Sequence, residues 1–230
     1  MREIVLDTET TGLDPLQGHR LVEIGAIELF NHLPTGNTYH AYINPSRDVP
    51  REAEAVHGLS NVFLRDKPVF SSIADAFQEF IGDTTLIIHN ASFDVGFLNA
   101  ELGFLNKAPI LYERVIDTLA LAKKRHPMGP NSLDALCKRY GIDTSKRTKH
   151  GALVDCELLA EVYLELIGGR QIALTLPKVD NIRQLAVTPA DVQAKRHHPL
   201  AARLTEEERQ QHEKLVIDLG AAALWTSQQN

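Results

Sequence analysis

The sequence predicts an α/β domain, built as a mixed sheet with flanking helices and followed by a linker and a helical tail. Two patterns predict this fold class. Short β-branched apolar runs dominate the first 45 or so residues, whereas apolar residues at helical spacing recur between residues 71 and 167. After residue 170, prolines at 177, 189 and 199 interrupt a stretch without sustained periodicity, which is typical of a linker.

The domain is expected to open with an antiparallel meander. Its three strands are predicted at residues 2–8, 21–30 and 38–43. The first of them contains the apolar run Ile4-Val5-Leu6, and a glycine-bounded stretch around Pro15 predicts the turn that follows it.

The pattern then changes to an alternation of helix and strand. A helix, a strand and four further helices are predicted at residues 71–81, 85–89, 92–102, 117–125, 132–140 and 152–167. Asn131 is the candidate N-cap of the helix at 132–140. Gly168 and Gly169 end the last helix, so the compact domain is expected to span residues 1–170.

Composition places the chain among ordinary globular proteins. It has 230 residues, of which 43% are hydrophobic and 23% are charged. Apolar runs fall short of the ~18 residues that a membrane span requires, and we expect a cytoplasmic, nucleoid-associated protein without membrane contact. Cys137 and Cys156 lie among apolar residues of predicted helices, which favours buried free thiols in a reducing compartment.

Charge is distributed unevenly. The net charge of −6 argues against a protein that grips duplex DNA over a long footprint. Residues 123–150 are nevertheless strongly basic, because their lysines and arginines outnumber Asp134 and Asp143. The stretch is interpreted either as a nucleic-acid contact or as a solvated helix face.

Two acidic residues lie close together near the end of the first predicted strand. Asp7 and Glu9 are two residues apart, so the period of a strand points both carboxylates to the same face. In α/β proteins, sites usually lie at this C-terminal end of the strands. Two adjacent negative charges are costly without a cation, which makes the pair a candidate metal site. Solvated turn formers are the alternative interpretation.

Three more candidate site residues lie at the starts of predicted helices. Asp94 is in the first turn of the helix that follows the strand at 85–89, His150 precedes the helix at 152–167, and Asp155 lies in its opening turns. Helix capping or a favourable interaction with the helix dipole explains each of them separately.

Taken together, these residues form an ordered set of motifs. The sequence contains Asp-Thr-Glu-Thr-Thr-Gly-Leu from residue 7, Val-His-Gly-Leu-Ser from residue 56, His-Asn-Ala-Ser-Phe-Asp from residue 89, and His-Gly-Ala-Leu-Val-Asp from residue 150. In order and spacing, residues 1–168 resemble the DEDDh branch of the DnaQ-like 3′–5′ exonuclease superfamily. The resemblance implies a ribonuclease-H-like fold and phosphodiester hydrolysis with two Mg²⁺ or Mn²⁺ ions.

The resemblance also implies individual roles. Asp7 is expected to bind both ions, Glu9 and Asp155 to complete the site that activates water, and Asp94 to hold the second ion, while His150 is the general base. Further contacts, to the 3′-terminal nucleotide of single-stranded DNA, are expected from Thr10, Thr11, Gly12, Leu13, His57 and Phe93. Core packing is the alternative for His57 and Phe93.

The residues after the domain suggest binding partners. Residues 171–177 look like the Gln-led peptide by which proofreading subunits bind the sliding clamp, although Leu176 replaces the usual aromatic residue. Weak clamp binding or a plain linker is the alternative interpretation of this segment. Residues 204–230 resemble a tail that binds the alpha (polymerase) subunit. This tail has a capping box at Thr205 and Glu208, and its candidate apolar contacts and helix stop are Leu215, Val216, Leu219, Gly220 and Trp225.

Three hypotheses follow for the function. The first is the proofreading subunit of a replicative DNA polymerase. The second is a stand-alone exonuclease on RNA or single-stranded DNA ends, similar to RNase T or oligoribonuclease. The third is a non-catalytic nucleic-acid binding module on the same fold, against which the complete carboxylate set counts heavily. The tail favours the first over the second.

Overall fold

The computed structural model describes residues 1–145, 147, 149–168 and 205–220. Five strands are present in these ranges: β1 Arg2–Thr10, β2 Leu21–Phe30, β3 Leu33–Tyr42, β4 Thr85–Ile88 and β5 Val115–Asp117. The α-helices in these ranges are α1 Arg51–His57, α2 Asn61–Leu64, α3 Phe70–Ile81, α4 Ala91–Phe104, α5 Thr118–Arg125, α6 Leu133–Tyr140, α7 Ala152–Leu166 and α8 Glu206–Leu219. The chain divides into two compact units, Met1–Leu174 and Thr175–Asn230.

The strands of the first unit form one mixed sheet in the order β3-β2-β1-β4-β5. β1, β2 and β3 form an antiparallel meander, whereas β4 is parallel to both β1 and β5. The predicted mixed sheet with flanking helices is therefore confirmed. Its parallel half places the C-terminal ends of β1 and β4 side by side, where the candidate site residues follow.

Several elements differ from the sequence prediction. β3 begins at Leu33, five residues earlier than predicted, because Asn31 and His32 adopt left-handed conformations with φ of 50° and 67° and close a tight hairpin. The short helices α1 and α2 and the three-residue strand β5 were not predicted. The N-cap of α6 is Ser132, whose hydroxyl accepts from the Ala135 amide, so the prediction of Asn131 was wrong. The Asn131 side chain instead donates to the His126 carbonyl.

The two faces of the sheet carry separate hydrophobic clusters. Ile4 and Leu6 of β1 point to the face covered by α3 and α4, while Val5 points to the face covered by α7. The same alternation continues along β1, so Asp7 and Glu9 lie on the α7 face. The predicted sharing of one face by the two carboxylates follows from this register.

A glycine allows α7 to pack close to the sheet. Gly25 pairs with Asp7 in the β1–β2 register, and a Cβ there would lie 2.4 Å from the Ala152 carbonyl carbon and 2.5 Å from the Leu153 nitrogen. The Cys156 thiol donates to the Gly25 carbonyl at 3.2 Å. Because the first turn of α7 contacts bare backbone here, this turn approaches the end of β1 closely.

The other predictions of local structure have mixed outcomes. Cys137 and Cys156 are buried and free, as predicted. None of the helices in the described ranges combines the length and the apolar character that crossing a membrane requires. In the second unit, α8 begins with the predicted capping box of Thr205 and Glu208. The clamp peptide at 171–177 and Trp225 lie outside the described residues.

Candidate active site

Four carboxylates and one histidine come together at the C-terminal edge of β1. Asp7 and Glu9 belong to β1, and Asp155 lies in the first turn of α7 on the same face of the sheet. Asp94 lies in the first turn of α4, which packs on the opposite face. The set is therefore assembled around the end of the sheet from both of its sides.

Thr8 connects the two sides. Its side chain points to the α4 face, and its hydroxyl donates to Oδ1 of Asp94 at 2.7 Å in a buried hydrogen bond. A second hydrogen bond holds the start of α4 in place. Asn90 adopts a left-handed conformation there, and its backbone amide donates to Oδ1 of Asp117 at 3.1 Å. These contacts, which the sequence did not predict, position the Asp94 carboxylate.

Burial raises the pKa of three of these carboxyl groups, and repulsion by neighbouring carboxylates adds to it. Burial is the largest cause at each of them. At Asp7 the negative charges of Asp94 and Glu9 add to it, and the pKa rises well above its usual value. The pKa of Glu9 is raised to about 8 and that of Asp94 to about 7, although the hydrogen bond from Thr8 acts against the second shift. Such a cluster is an unfavourable arrangement unless protons or cations neutralise it.

His150 lies on the loop that precedes α7, and nearly half of its side chain is exposed. Its Nδ1 is 3.3 Å from Oδ2 of Asp155. Potential ligand atoms of Glu9, His150 and Asp155 all lie within 4.8 Å of one another. The donor set is rich in carboxylate oxygen and has repelling charges, so it fits a hard divalent cation.

Two further charged residues of the site were not predicted. Glu23 is buried on β2 directly opposite Glu9 and contacts Nε2 of His40 at 2.7 Å. Arg147 inserts its guanidinium between Asp155 and His150. The basic stretch at 123–150 was a signal for Arg147, but it does not distinguish one buried arginine from a solvated helix face.

A cavity of about 550 Å³ adjoins the carboxylates. All six predicted substrate contacts line it, and Glu9 lies at its border with the acidic cluster. Its other lining residues are Asp14, Gln17, His19, Pro50, Glu52, Ala53 and Val56. The structure thus collects residues of β1, the following turn, α1 and α4 around one space beside the candidate metal ligands.

His57 and His19 shape this cavity. Nδ1 of the buried His57 accepts from the Leu59 amide at 3.0 Å, and its Nε2 is buried near the Thr10 backbone without a well-aligned hydrogen bond. Burial lowers the pKa of His57, which favours the neutral ring. The His19 ring packs on Gly12 so closely that a Cβ there would lie 2.3 Å from it.

Comparison with known proteins assigns the family. A family model described as exonuclease matches residues 4–163. DNA polymerase III subunit epsilon of Rickettsia prowazekii is 52% identical over 220 residues, which cover 94% of this chain and 96% of the relative. The chain belongs to the family of DNA polymerase III epsilon subunits. The Escherichia coli K12 epsilon subunit is 43% identical over 235 residues, which cover 97% of each chain.

Solved structures of other exonucleases share the fold of this chain. Exonuclease X in complex with 5′ overhanging duplex DNA has a TM-score of 0.58 at 26% identity and covers 73% of this chain and 92% of its own. The nuclease domain of 3′hExo, a DEDDh family member bound to rAMP, has a TM-score of 0.62 with the same coverage, and at 16% identity it shows the fold alone. The predicted DEDDh family, ribonuclease-H-like fold and exonuclease activity are confirmed. Dependence on divalent metal ions is general in this family.

Proton release on metal binding is expected from the raised pKa values. A carboxyl group that is protonated near neutral pH must lose its proton before it binds a cation. We therefore expect Mg²⁺ affinity to increase between about pH 6 and pH 8, with proton release measurable by calorimetry in buffers of different ionisation enthalpy. Glu9→Gln, which removes the group with a pKa of about 8, should lower the number of protons released. An affinity that is independent of pH would contradict this expectation.

Proposed function

We propose that this chain removes mispaired 3′-terminal nucleotides from DNA as the proofreading subunit of a bacterial replicative polymerase. The observation that carries the proposal is the convergence of four carboxylates and His150 beside the cavity. The high identity to epsilon subunits along the whole chain favours this function over a stand-alone RNA exonuclease. Such a subunit would work in the cytoplasm, at the nucleoid.

The carboxylates would hold two Mg²⁺ or Mn²⁺ ions. Asp7 is central to the cluster and would contact both, Glu9 and Asp155 would complete one position, and Asp94 the other. When bound, a pair of such ions lowers the pKa of water and compensates the charge on the departing 3′ oxygen. The raised pKa values of Asp7, Glu9 and Asp94 support this assignment, because burial disfavours their ionised forms and a bound cation would compensate the negative charges.

His150 would accept the proton of the attacking water. A neutral imidazole provides one nitrogen lone pair for this purpose, and the ring lies between the carboxylates and solvent. The backbone amide of His150 donates to the Val56 carbonyl at 3.3 Å, so the loop is tied to the rim of the cavity. This tie supports a base that is positioned together with the substrate pocket.

The cavity would bind the terminal nucleotide without reading its identity. Phe93 offers an aromatic face, His57 offers a buried Nε2 donor, and the turn after Thr10 offers backbone groups. Leu13 is 85% exposed at the entrance, where an apolar side chain can contact a base. Stacking and backbone contacts are tolerant of sequence, as the removal of any mispaired base requires.

The second unit would connect the nuclease to its partners. We assign residues 1–170 to the exonuclease domain, 171–203 to a linker with a clamp-binding peptide at 171–177, and 204–230 to the alpha-subunit contact. In α8, Leu215 and Leu219 are four residues apart and both exposed, although most other residues of the helix are polar. Two apolar side chains on one helix face, with Trp225 beyond them in the sequence, are typical anchors of an interface.

A co-purification experiment tests the proposed assembly. A chain that ends at Arg170 is expected to hydrolyse single-stranded DNA at close to the full-length rate and to lose its association with the polymerase subunit. Trp225→Ala, or Leu215→Ser combined with Leu219→Ser, should weaken that association in the full chain, because truncating an interface hot spot typically costs about 2 kcal/mol or more. Gln210→Ser, an exposed polar position of α8, is the matched control. If the truncated chain binds polymerase as tightly as the whole chain, the tail is not the tether.

A further inference from the structure

Among the residues that the structure describes, Arg147 makes the closest cationic contact with the candidate metal ligands. Its side chain is only 8% exposed. Nε lies 2.5 Å from Oδ1 of Asp155, and Nη2 donates to Oδ2 of the same carboxylate at 2.7 Å. Nη1 donates to Asp134 at the start of α6. The arginine thus spans from the surface of α6 to the interior of the site.

This contact occupies both oxygens of Asp155. A divalent cation such as Mg²⁺ must approach a carboxylate oxygen to about 2.0–2.1 Å. The guanidinium nitrogens already lie beside both oxygens, and a second positive charge would be repelled there. The approach of Nε to Oδ1 is not aligned as a hydrogen bond, so neither atom has a proper hydrogen-bond partner. Arg147 and Asp155 therefore form an ion pair in which only one of the two close contacts has hydrogen-bond geometry.

Arg147 also determines which ring nitrogen of His150 carries the hydrogen. Nη2 lies 2.6 Å from Nδ1 of the imidazole. A guanidinium has donors and no acceptor, so Nδ1 must be the accepting nitrogen, and in the neutral ring Nε2 carries the hydrogen. The Nδ1 lone pair is then engaged and Nε2 has none free. Neither nitrogen can accept a proton from water while this contact persists.

We propose that Arg147 is a built-in competitor of the divalent cation, which holds Asp155 and His150 together in the metal-free enzyme and must leave them before the site is active. The inference rests on the proposed function, because it takes Asp155 as a metal ligand. Asp134, whose side chain is 66% exposed, remains as the partner of Arg147 after its release. Arg147 is thus a positioning residue that compensates the acidic cluster until a cation replaces it.

The direction of the change in metal affinity tests this proposal. Mn²⁺ binding to the full-length chain is measured by electron paramagnetic resonance, without substrate. Arg147→Gln is expected to bind Mn²⁺ about 10-fold more tightly than the parent, if the arginine-bound form holds about nine tenths of the metal-free molecules. A residue that only supported the loop would weaken metal binding when replaced. An unchanged or weaker affinity would therefore overturn the proposal.

Matched variants make the result specific. Arg139→Gln removes a neighbouring arginine that donates to the Pro130 carbonyl and to Asn131, and its affinity should equal that of the parent. Arg147→Lys keeps the positive charge but cannot contact both oxygens of Asp155, so we expect a smaller increase in Mn²⁺ affinity. This variant replaces Arg147→Gln in the test if Arg147→Gln does not fold. Asp155→Asn separates the two proposals. If Asp155→Asn leaves Mn²⁺ affinity unchanged, Asp155 is not a metal ligand. If Asp155→Asn lowers Mn²⁺ affinity but Arg147→Gln does not change it, the proposed function stands and Arg147 does not compete with the cation.

Discussion

Asp7→Asn is expected to reduce the hydrolysis of single-stranded DNA by at least about 10³-fold, because bound metal ions supply several kcal/mol of transition-state stabilisation and each 1.36 kcal/mol is a factor of ten. Asp7 lies at the centre of the acidic cluster, where Asp94, Glu9 and Asp155 all raise its pKa after the effect of burial. An amide in its place keeps the shape of the side chain but removes the charge that binds cations. The rate is measured with Mg²⁺ on a labelled single strand.

The same substitution should stabilise the metal-free protein. A carboxyl pKa that is higher in the folded than in the unfolded state means that folding disfavours the ionised form. The stabilising contribution of the protonated Asp7 carboxyl is complete below the pKa of the unfolded state and is lost as the pH rises through the pKa of the folded state. In EDTA at pH 8, Asp7→Asn is therefore expected to melt at a higher temperature than the parent. Asp75→Asn, which changes a largely exposed carboxylate paired with Lys107, should retain full activity.

Activity of Asp7→Asn within about tenfold of the parent would show that the reaction does not depend on this carboxylate. A lower melting temperature in EDTA would instead show that Asp7 has a structural role. The two measurements together distinguish a damaged fold from a lost ligand.

His150→Gln is expected to reduce the rate by about 10²- to 10⁴-fold, the usual contribution of a general base, while Mn²⁺ binding is retained. Its ring lies within 4.8 Å of ligand atoms of Glu9 and Asp155, so the structure brings it close enough for either a base or a ligand. The rate is measured by single-turnover hydrolysis and the binding by titration with Mn²⁺. His126→Gln, which changes a histidine that contacts Tyr140, is the control.

Loss of Mn²⁺ affinity together with activity in His150→Gln would make this residue a ligand and would contradict the assignment as a base. Retained activity would exclude both roles. Arg147→Gln is a useful comparison, because this variant removes the contact of the guanidinium with Nδ1 of His150 but keeps the imidazole ring.

The sequence predicted the parts of the site that depend on local periodicity. The two-residue spacing of Asp7 and Glu9 determined their common face, and the ordered motifs identified Asp94, His150 and Asp155. The spacing contains no information about the side of the sheet from which Asp94 arrives, so the hydrogen bond from Thr8 was not predictable. Glu23 was missed because a charged residue inside an apolar strand gives no sign of its partner across the sheet.

Misassigned local structure has a similar physical origin. β5 has three residues, which is too few for a period to be recognised. Asn131 and Ser132 are adjacent and both are good N-caps, so propensity cannot choose between them. The role of Gly25 depends on the distance between β2 and α7, which is a tertiary property. Long elements with a clear period were therefore predictable, whereas close approaches and single contacts were not.

We propose that two divalent cations bind to Asp7, Glu9, Asp94 and Asp155. Anomalous scattering from crystals of the full chain grown with Mn²⁺ and a deoxynucleoside 5′-monophosphate tests it most directly. We expect two peaks about 3.5–4 Å apart, both within bonding distance of Asp7, with the nucleotide in the adjoining cavity. A site in which Asp7 contacts neither peak, or in which Arg147 still covers Asp155 beside the bound ions, would contradict the account.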